Sequence, residues 1–256
     1  MQESGLRLSA FLSPAVLDRY KAVLSPELQE KFETEYHGVQ RWNDDKLTEL
    51  KGDFTESDLE HVCSGLEIIH SIQEQHPEMA QDIDFETVEM MYVLHDIGEI
   101  GLGDLPMYSS SRDSVKGNQK KRIEAFYAKR YLFPYIKDVE QREQLEELFD
   151  RVMYRKCDDK EALFVKFVDI VQGTQTGIDN IFGNYSEEPS IELKRHISYT
   201  LYKLTESINN LIPLLNSNSQ RVIYELGLQQ FTQLAVIGYE KEVEKYIRQL
   251  RSNTGE

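Results

Sequence analysis

Apolar residues recur at helical spacing along nearly the whole chain, and strict two-residue alternation is almost absent. The pattern predicts an all-α protein that needs no sheet. Ser13-Pro14 and Ser25-Pro26-Glu27 each set a capping residue before a proline at the first helical position, where its missing N–H costs nothing. They open two short N-terminal helices. Thr55 and Asp58 stand at capping-box spacing ahead of a helix that runs to about Gln75, with Leu59, Val62, Leu66, Ile69 and Ile72 as its apolar stripe. Asp84 caps a helix that begins at Phe85 and turns Val88, Met91, Tyr92 and Leu94 inward. Gly98, Gly101, Gly103 and Pro106, followed by a polar stretch to Ser114, predict an extended loop after it. Helices follow over residues 118–129, 139–153 and 160–171, and the last is dense enough in apolar residues to read as buried. From Ile191 onward, two or three amphipathic helices are divided near Pro213 and again around Asn216 to Ser219.

A chain of 256 residues suits one core with terminal extensions. The expected division is an N-terminal helical extension over 1–35, a core over 36–185, and C-terminal helices over 186–256 packed on that core. No apolar run approaches the roughly eighteen residues of a membrane span. The first residues carry Glu3 and Arg7 without a basic start and an apolar block, so a cytoplasmic location is expected. Two cysteines, Cys63 and Cys157, cannot build a disulfide framework and are expected to be small buried hydrophobes. The net charge of −16 argues against polymeric nucleic acid and anionic membranes as partners, because both select clustered Lys and Arg. A small phosphate ester stays compatible, since a metal and a few local basic groups outweigh the global field in one pocket.

The stretch Leu94-His95-Asp96-Ile97-Gly98-Glu99 carries the chemistry. Neutral imidazole and ionised carboxylate are good ligands for a divalent ion, which lowers the pKa of bound water toward neutrality. Glu99 follows His95 by four residues, so a persisting helix would set it on the same face, where it orients or deprotonates that water. Two adjacent residues cannot close a coordination sphere, and the other ligands must come from other helices. His61 and Asp169 lead, each a polar residue in an apolar helical stretch where burial alone is costly. Taken singly, His61 also reads as a hydrogen-bonded helix histidine, and Asp169 as an ion-pair partner of Lys166.

In their order His61, His95-Asp96, Asp169, these residues resemble the motif of the HD-domain metal phosphohydrolases, a family of helical bundles. The likeness is greatest to the HD-domain 5'-nucleotidases that act on deoxyribonucleoside monophosphates. Matching features are Glu60-His61, Glu99 three residues beyond the His-Asp pair, Gly103-Asp104-Leu105-Pro106, Arg41-Trp42 upstream, and Lys121-Arg122-Ile123-Glu124 downstream. The resemblance spans roughly residues 40 to 180. Arg41-Trp42 stands farther ahead of His61 than the family pattern sets it, with a charged insert from Asn43 to Asp53 between. It implies a metal held by His61, His95, Asp96 and Asp169, with Glu99 assisting the attacking water and Arg41, Trp42 and Asp104 contacting the nucleotide. Lys121 is the candidate for neutralising a phosphoryl oxygen.

The expected protein is therefore a phosphohydrolase that uses one divalent transition metal, with manganese, cobalt, iron, nickel and zinc all compatible with two His and two carboxylates. Its expected substrate is a small nucleotide, a (deoxy)nucleoside 5'-monophosphate first. Alternatives are a nucleoside triphosphate, a cyclic dinucleotide, a guanosine alarmone, or a helical sensor that binds nucleotide without turnover. The flanking helices are candidates for remodelling the pocket or for a homodimer interface.

Overall fold

Most helix starts carry a polar side chain that accepts from a backbone N–H left without an intrahelical partner. Ser25 accepts from Leu28, Asp84 from Thr87, Asp138 from Gln141, Asp159 from Ala162, Ser190 from Leu193, and Asn216 from both Asn218 and Ser219. The structure, a computed structural model, describes residues 6–42, 48–101, 103, 114–154, 156–185 and 188–254, excluding the side chains of 48–49, 114–118 and 251–254. Its main helices are α1 (Pro14–Val23), α2 (Pro26–Gly38), α3 (Asp58–Gln75), α4 (Phe85–Leu94) and α5 (Ser114–Tyr127). The second half supplies α6 (Val139–Met153), α7 (Lys160–Gly177), α8 (Ile191–Leu211), α9 (Ser217–Leu234) and α10 (Glu240–Thr254). Short 3-10 and π-helical turns join them, and the described residues contain no strand. The all-α expectation holds. No described helix is long and apolar enough to cross a membrane.

Several local expectations are revised. The capping box of α3 is formed by Ser57 and Glu60 rather than by Thr55 and Asp58. Ser57 Oγ accepts from the Glu60 N–H at 3.2 Å, while Glu60 Oε2 accepts from the Ser57 N–H at 2.7 Å. Asp58 is thereby released from capping and lies buried in the first turn. Ser13 makes no capping bond, and its own N–H donates to Glu89 Oε2 at 2.9 Å. After Asp96 the chain continues as a 3-10 turn, Ile97–Gly101, rather than directly as extended loop. Gly98 permits this, because a Cβ there would lie 2.8 Å from the Glu124 Cα and push α5 away. Cys63 is buried as expected, but Cys157 is exposed. It sits in the turn between α6 and α7.

The centre of the molecule is built from α3, α4 and α7, which pack pairwise against one another. Leu66, Ile69, Val88, Met91, Phe164, Phe167 and Val168 are fully excluded from solvent between them. Gly65 lets α3 and α4 approach beside His61, since a Cβ would fall 2.1 Å from the Tyr92 ring. Helix α6 covers α4, and α8 lies along α7 with α9 and α10 outside it. On the other flank, Tyr36 of α2 donates to the Val93 carbonyl at 3.0 Å and ties the last turn of α4 in place. The segment before α1 is anchored by buried Glu33, which accepts from Arg7 Nη1 and the Leu8 N–H, each at 3.1 Å.

Asp159 serves two partners at the start of α7, the helix that carries Asp169. It accepts from Arg151 Nε and Nη2 at 2.8 and 2.9 Å and from the Ala162 N–H at 3.1 Å. Partial burial works against its ionisation, but the Arg151 fork and the Ala162 N–H outweigh it and hold the carboxyl below the usual aspartate range. Asp159→Ala is expected to lower unfolding stability by about 1–2 kcal/mol near neutral pH, combining a lost N-cap with a half-exposed ion pair. The folded-state pKa is depressed, so this contribution is present above the unfolded value of about 3.9 and lost as pH falls through the folded value. Urea titrations of both proteins should show the gap narrowing below about pH 4; a gap that widens there would contradict the assignment.

Candidate metal centre

Three helices deliver polar side chains to one point. His61 comes from the start of α3, His95 and Asp96 from the C-terminal end of α4, and Asp169 from the middle of α7. His61 Nε2 lies 3.3 Å from His95 Nε2, 3.4 Å from Asp169 Oδ1 and 3.7 Å from Asp96 Oδ2. His95 Nε2 lies 3.1 Å from Asp96 Oδ2 and 3.9 Å from Asp169 Oδ1. All four expected residues are brought together.

Their donor chemistry fits a divalent cation. The Tyr92 carbonyl, which can only accept, lies 2.6 Å from His95 Nδ1, and Gln172 Oε1 lies 2.5 Å from His61 Nδ1. Both Nδ1 atoms therefore carry the proton, and both Nε2 lone pairs point at each other across 3.3 Å. Two lone pairs and two carboxylate oxygens at this spacing are complementary to a cation. Adjacent ligands of an ion with bonds of about 2.1 Å are separated by about 3.0–3.4 Å in tetrahedral or octahedral geometry, close to the distances found.

The surrounding charges keep the carboxylates ionised. Burial would raise the pKa of Asp96, but His95 and Arg41 overcome that and hold it well below the usual range. Burial also opposes ionisation of Asp169, and Lys166, His61 and His95 outweigh it. Burial disfavours charge on His95, yet the adjacent Asp96 carboxylate and then Asp169 raise its pKa on balance. Tyr92, enclosed beside the centre and facing Asp169 and Asp96, has its phenol pushed well above the usual value.

Around this point lies an outer ring. Arg41 Nη1 donates to Asp96 Oδ2 at 3.1 Å and stands 3.5 Å from Asp58 Oδ1. Asp58, Asp96 and Glu99 each offer a carboxylate oxygen within 4.8 Å of the others. Lys120 from α5 contacts Glu99 Oε1 at 2.7 Å and Glu124 Oε1 at 3.3 Å. Trp42 Nε1 donates to Glu56 Oε2 at 2.8 Å, and its ring meets Phe182 edge-on at 6.1 Å and His196 at 6.4 Å. An antiparallel bridge between Gln40 and Ser57 sets Arg41 beside the start of α3, with the Arg41 N–H donating to the Glu56 carbonyl at 2.8 Å. That bridge spans the insert which separates Arg41-Trp42 from His61 in sequence.

The HD-domain family profile matches residues 48–225, more than half of the chain and a span that contains His61, His95, Asp96 and Asp169. The chain belongs to the HD-domain family. No curated protein matches it. HD-domain proteins are generally metal-dependent hydrolases, and the His and Asp cluster of this one is of a kind that could hold the divalent metal.

Four residues of the HD-domain site carry no functional reading in the sequence. Asp58 reads there as a cap, although its spacing of three from His61 sets both on one face of α3. Gln172 stands at the same spacing from Asp169. Glu56 and Lys120 have no distinguishing local signal, because their partners, Trp42 and Glu99, are distant in sequence. Glu99 pairs with Lys120, while Lys121, the candidate for neutralising a phosphoryl oxygen, lies near enough to Glu124 to favour its ionisation. Asp104 lies outside the described residues.

Removing one ligand should abolish tight metal binding. In Asp96→Ala and His61→Ala, metal affinity measured by chelator competition is expected to fall by more than the roughly 10–100-fold typical of losing an outer partner. Full metal content in purified Asp96→Ala would refute the centre as drawn.

Proposed function

We propose that this HD-domain protein hydrolyses a phosphate monoester of a nucleotide, a (deoxy)nucleoside 5'-monophosphate, to nucleoside and inorganic phosphate. The observation that carries this reading is the position of Arg41, whose guanidinium touches Asp96 at 3.1 Å beside the metal centre. An arginine fork there suits the paired oxygens of a terminal phosphate. One divalent transition metal, held by His61, His95, Asp96 and Asp169, would lower the pKa of a water and polarise a phosphoryl oxygen.

The remaining work falls to side chains. Glu99 accepts the proton of the attacking water, with Lys120 holding its Oε1 in place at 2.7 Å. Water oxygen bonds to phosphorus as the ester P–O bond breaks, and the leaving 5'-oxygen takes up a proton to become the nucleoside hydroxyl. Arg41 offsets charge that develops on the phosphoryl oxygens. Trp42, with Phe182 and His196 behind it, offers an aromatic face to a sugar or base.

A screen of nucleoside mono- and triphosphates, cyclic dinucleotides and alarmones with manganese, cobalt or magnesium tests the reading. Orthophosphate released from a monophosphate is the expected outcome. Pyrophosphate or tripolyphosphate as product would move the substrate to the triphosphates or alarmones, and binding without hydrolysis under every metal would make the protein a sensor. Glu99→Gln is expected to retain metal while kcat falls about 10²–10⁴-fold. Unchanged turnover in that variant would remove Glu99 from the mechanism.

A further inference from the structure

Glu56 is buried, with 4 % of its surface exposed, and Gln172 with 2 %. Neither belongs to the candidate ligands or to the groups assigned to substrate. Their hydrogen bonds form one continuous chain. Trp42 Nε1 donates to Glu56 Oε2 at 2.8 Å, Gln172 Nε2 donates to Glu56 Oε1 at 2.8 Å, and Gln172 Oε1 meets His61 Nδ1 at 2.5 Å. Thr176 Oγ1 adds a third donor to Glu56, on Oε1 at 3.3 Å, and Gln172 Nε2 also donates to Thr176 Oγ1 at 3.0 Å.

The polarity of this chain is determined at one end. An ionised carboxylate only accepts, so Glu56 obliges Gln172 to turn its NH₂ toward it. The Gln172 carbonyl then faces His61, whose Nδ1 must carry the proton, which leaves the Nε2 lone pair for the centre. The other oxygen of Glu56 receives the indole N–H of Trp42, the residue whose backbone sits at φ 60° in the left-handed region that side chains rarely adopt. Arg41 Nε lies 3.7 Å from that same oxygen.

We infer that Glu56 and Gln172 are positioning residues: one buried carboxylate sets both the metal-binding tautomer of His61 and the placement of the Arg41-Trp42 pair that faces substrate. The inference rests on the metal-centre reading, but its central statement, the proton on His61 Nδ1, is measurable without metal. It also explains a location. Glu56 lies just ahead of α3, so its backbone carbonyl holds the Arg41 N–H at 2.8 Å while its side chain reaches α7. Both ends of the site are thereby referred to one residue.

Glu56→Gln conserves shape and reverses the logic. Its carbonyl must still accept from Trp42, so its NH₂ meets the NH₂ of Gln172, and Gln172 relieves the clash by turning over. The turned amide presents a donor to His61 Nδ1, which favours the proton on Nε2 and removes the lone pair from the centre. The double exchange Glu56→Gln/Gln172→Glu restores the polarity. The amide introduced at position 56 accepts from Trp42 and donates to the carboxylate introduced at position 172, and that carboxylate accepts from His61 Nδ1–H.

The test measures metal affinity by chelator competition and the His61 tautomer by ¹⁵N NMR of the metal-free protein, with thermal melts to establish folding. Glu56→Gln is expected to bind manganese or zinc about 10–100-fold more weakly and to lose the Nδ1–H signature, while the double exchange recovers both. Glu56→Gln with unchanged tautomer and affinity would overturn the inference, as would a folded double exchange that recovers neither. A wild-type protein that binds no metal would defeat the metal-centre reading instead, and the tautomer comparison would still decide the role of Glu56. If Glu56→Gln fails to fold, Gln172→Met, which removes the amide from the chain, must weaken metal binding by a similar factor or the inference falls.

Discussion

Two imidazole nitrogens with their lone pairs facing each other at 3.3 Å, flanked by two carboxylates, form the constraint on which this structure turns. In an apolar interior such a group is costly unless a cation completes it. Lys166 pairs with Asp169 Oδ2 and leaves Oδ1 to the histidines, whereas Arg41 meets Asp96 on Oδ2, the same oxygen that faces both Nε2 atoms. Asp96 Oδ2, Asp169 Oδ1 and both Nε2 atoms are directed at a common point. The burial of α3, α4 and α7 is what permits that convergence, since three tightly packed helices can hold four side chains at ligand separations that a loop would not maintain.

Two tiers of polar contacts surround this point and act in different ways. The near tier is electrostatic. Arg41, Asp58, Asp96, Glu99 and Lys120 combine opposite charges and so hold one another in place. The farther tier is directional, running through Glu56 and Gln172, where donor and acceptor identity rather than charge decides which nitrogen of His61 is free. A similar device serves His95, whose Nδ1–H is held by the Tyr92 carbonyl of its own helix. One histidine takes its tautomer from local backbone, the other from a side chain on a different helix.

The link between α4 and the Glu99 turn shows how packing reshapes a local expectation. Glycines after Asp96 predict a loop, and in isolation they would favour one. In the fold, Gly98 allows α5 to press against the turn, the Glu99 N–H donates to the Asp96 carbonyl at 2.8 Å, and Glu99 is buried within reach of Lys120. A loop signal thus becomes a tight turn because a helix from elsewhere fills the space a Cβ would have taken.

Helix type, most helix starts and the four converging residues are legible in the sequence by itself. Each rests on a local rule: apolar spacing for the helices, a side-chain acceptor for the caps, an adjoining imidazole and carboxylate for His95 and Asp96, and for His61 and Asp169 the anomaly of a polar group within an apolar stretch. The cap of α3 is ambiguous because Thr55-x-x-Asp58 and Ser57-x-x-Glu60 overlap, and only the reciprocal hydrogen bonds select the second. Only the tertiary structure supplies Asp58, Glu56, Gln172 and Lys120. Their signal lies in a partner far along the chain, 14 residues for Glu56 to Trp42 and 116 for Gln172 to Glu56, and no local periodicity encodes it. Sequence determines which residues are out of place in a hydrophobic helix, whereas packing decides what they meet there.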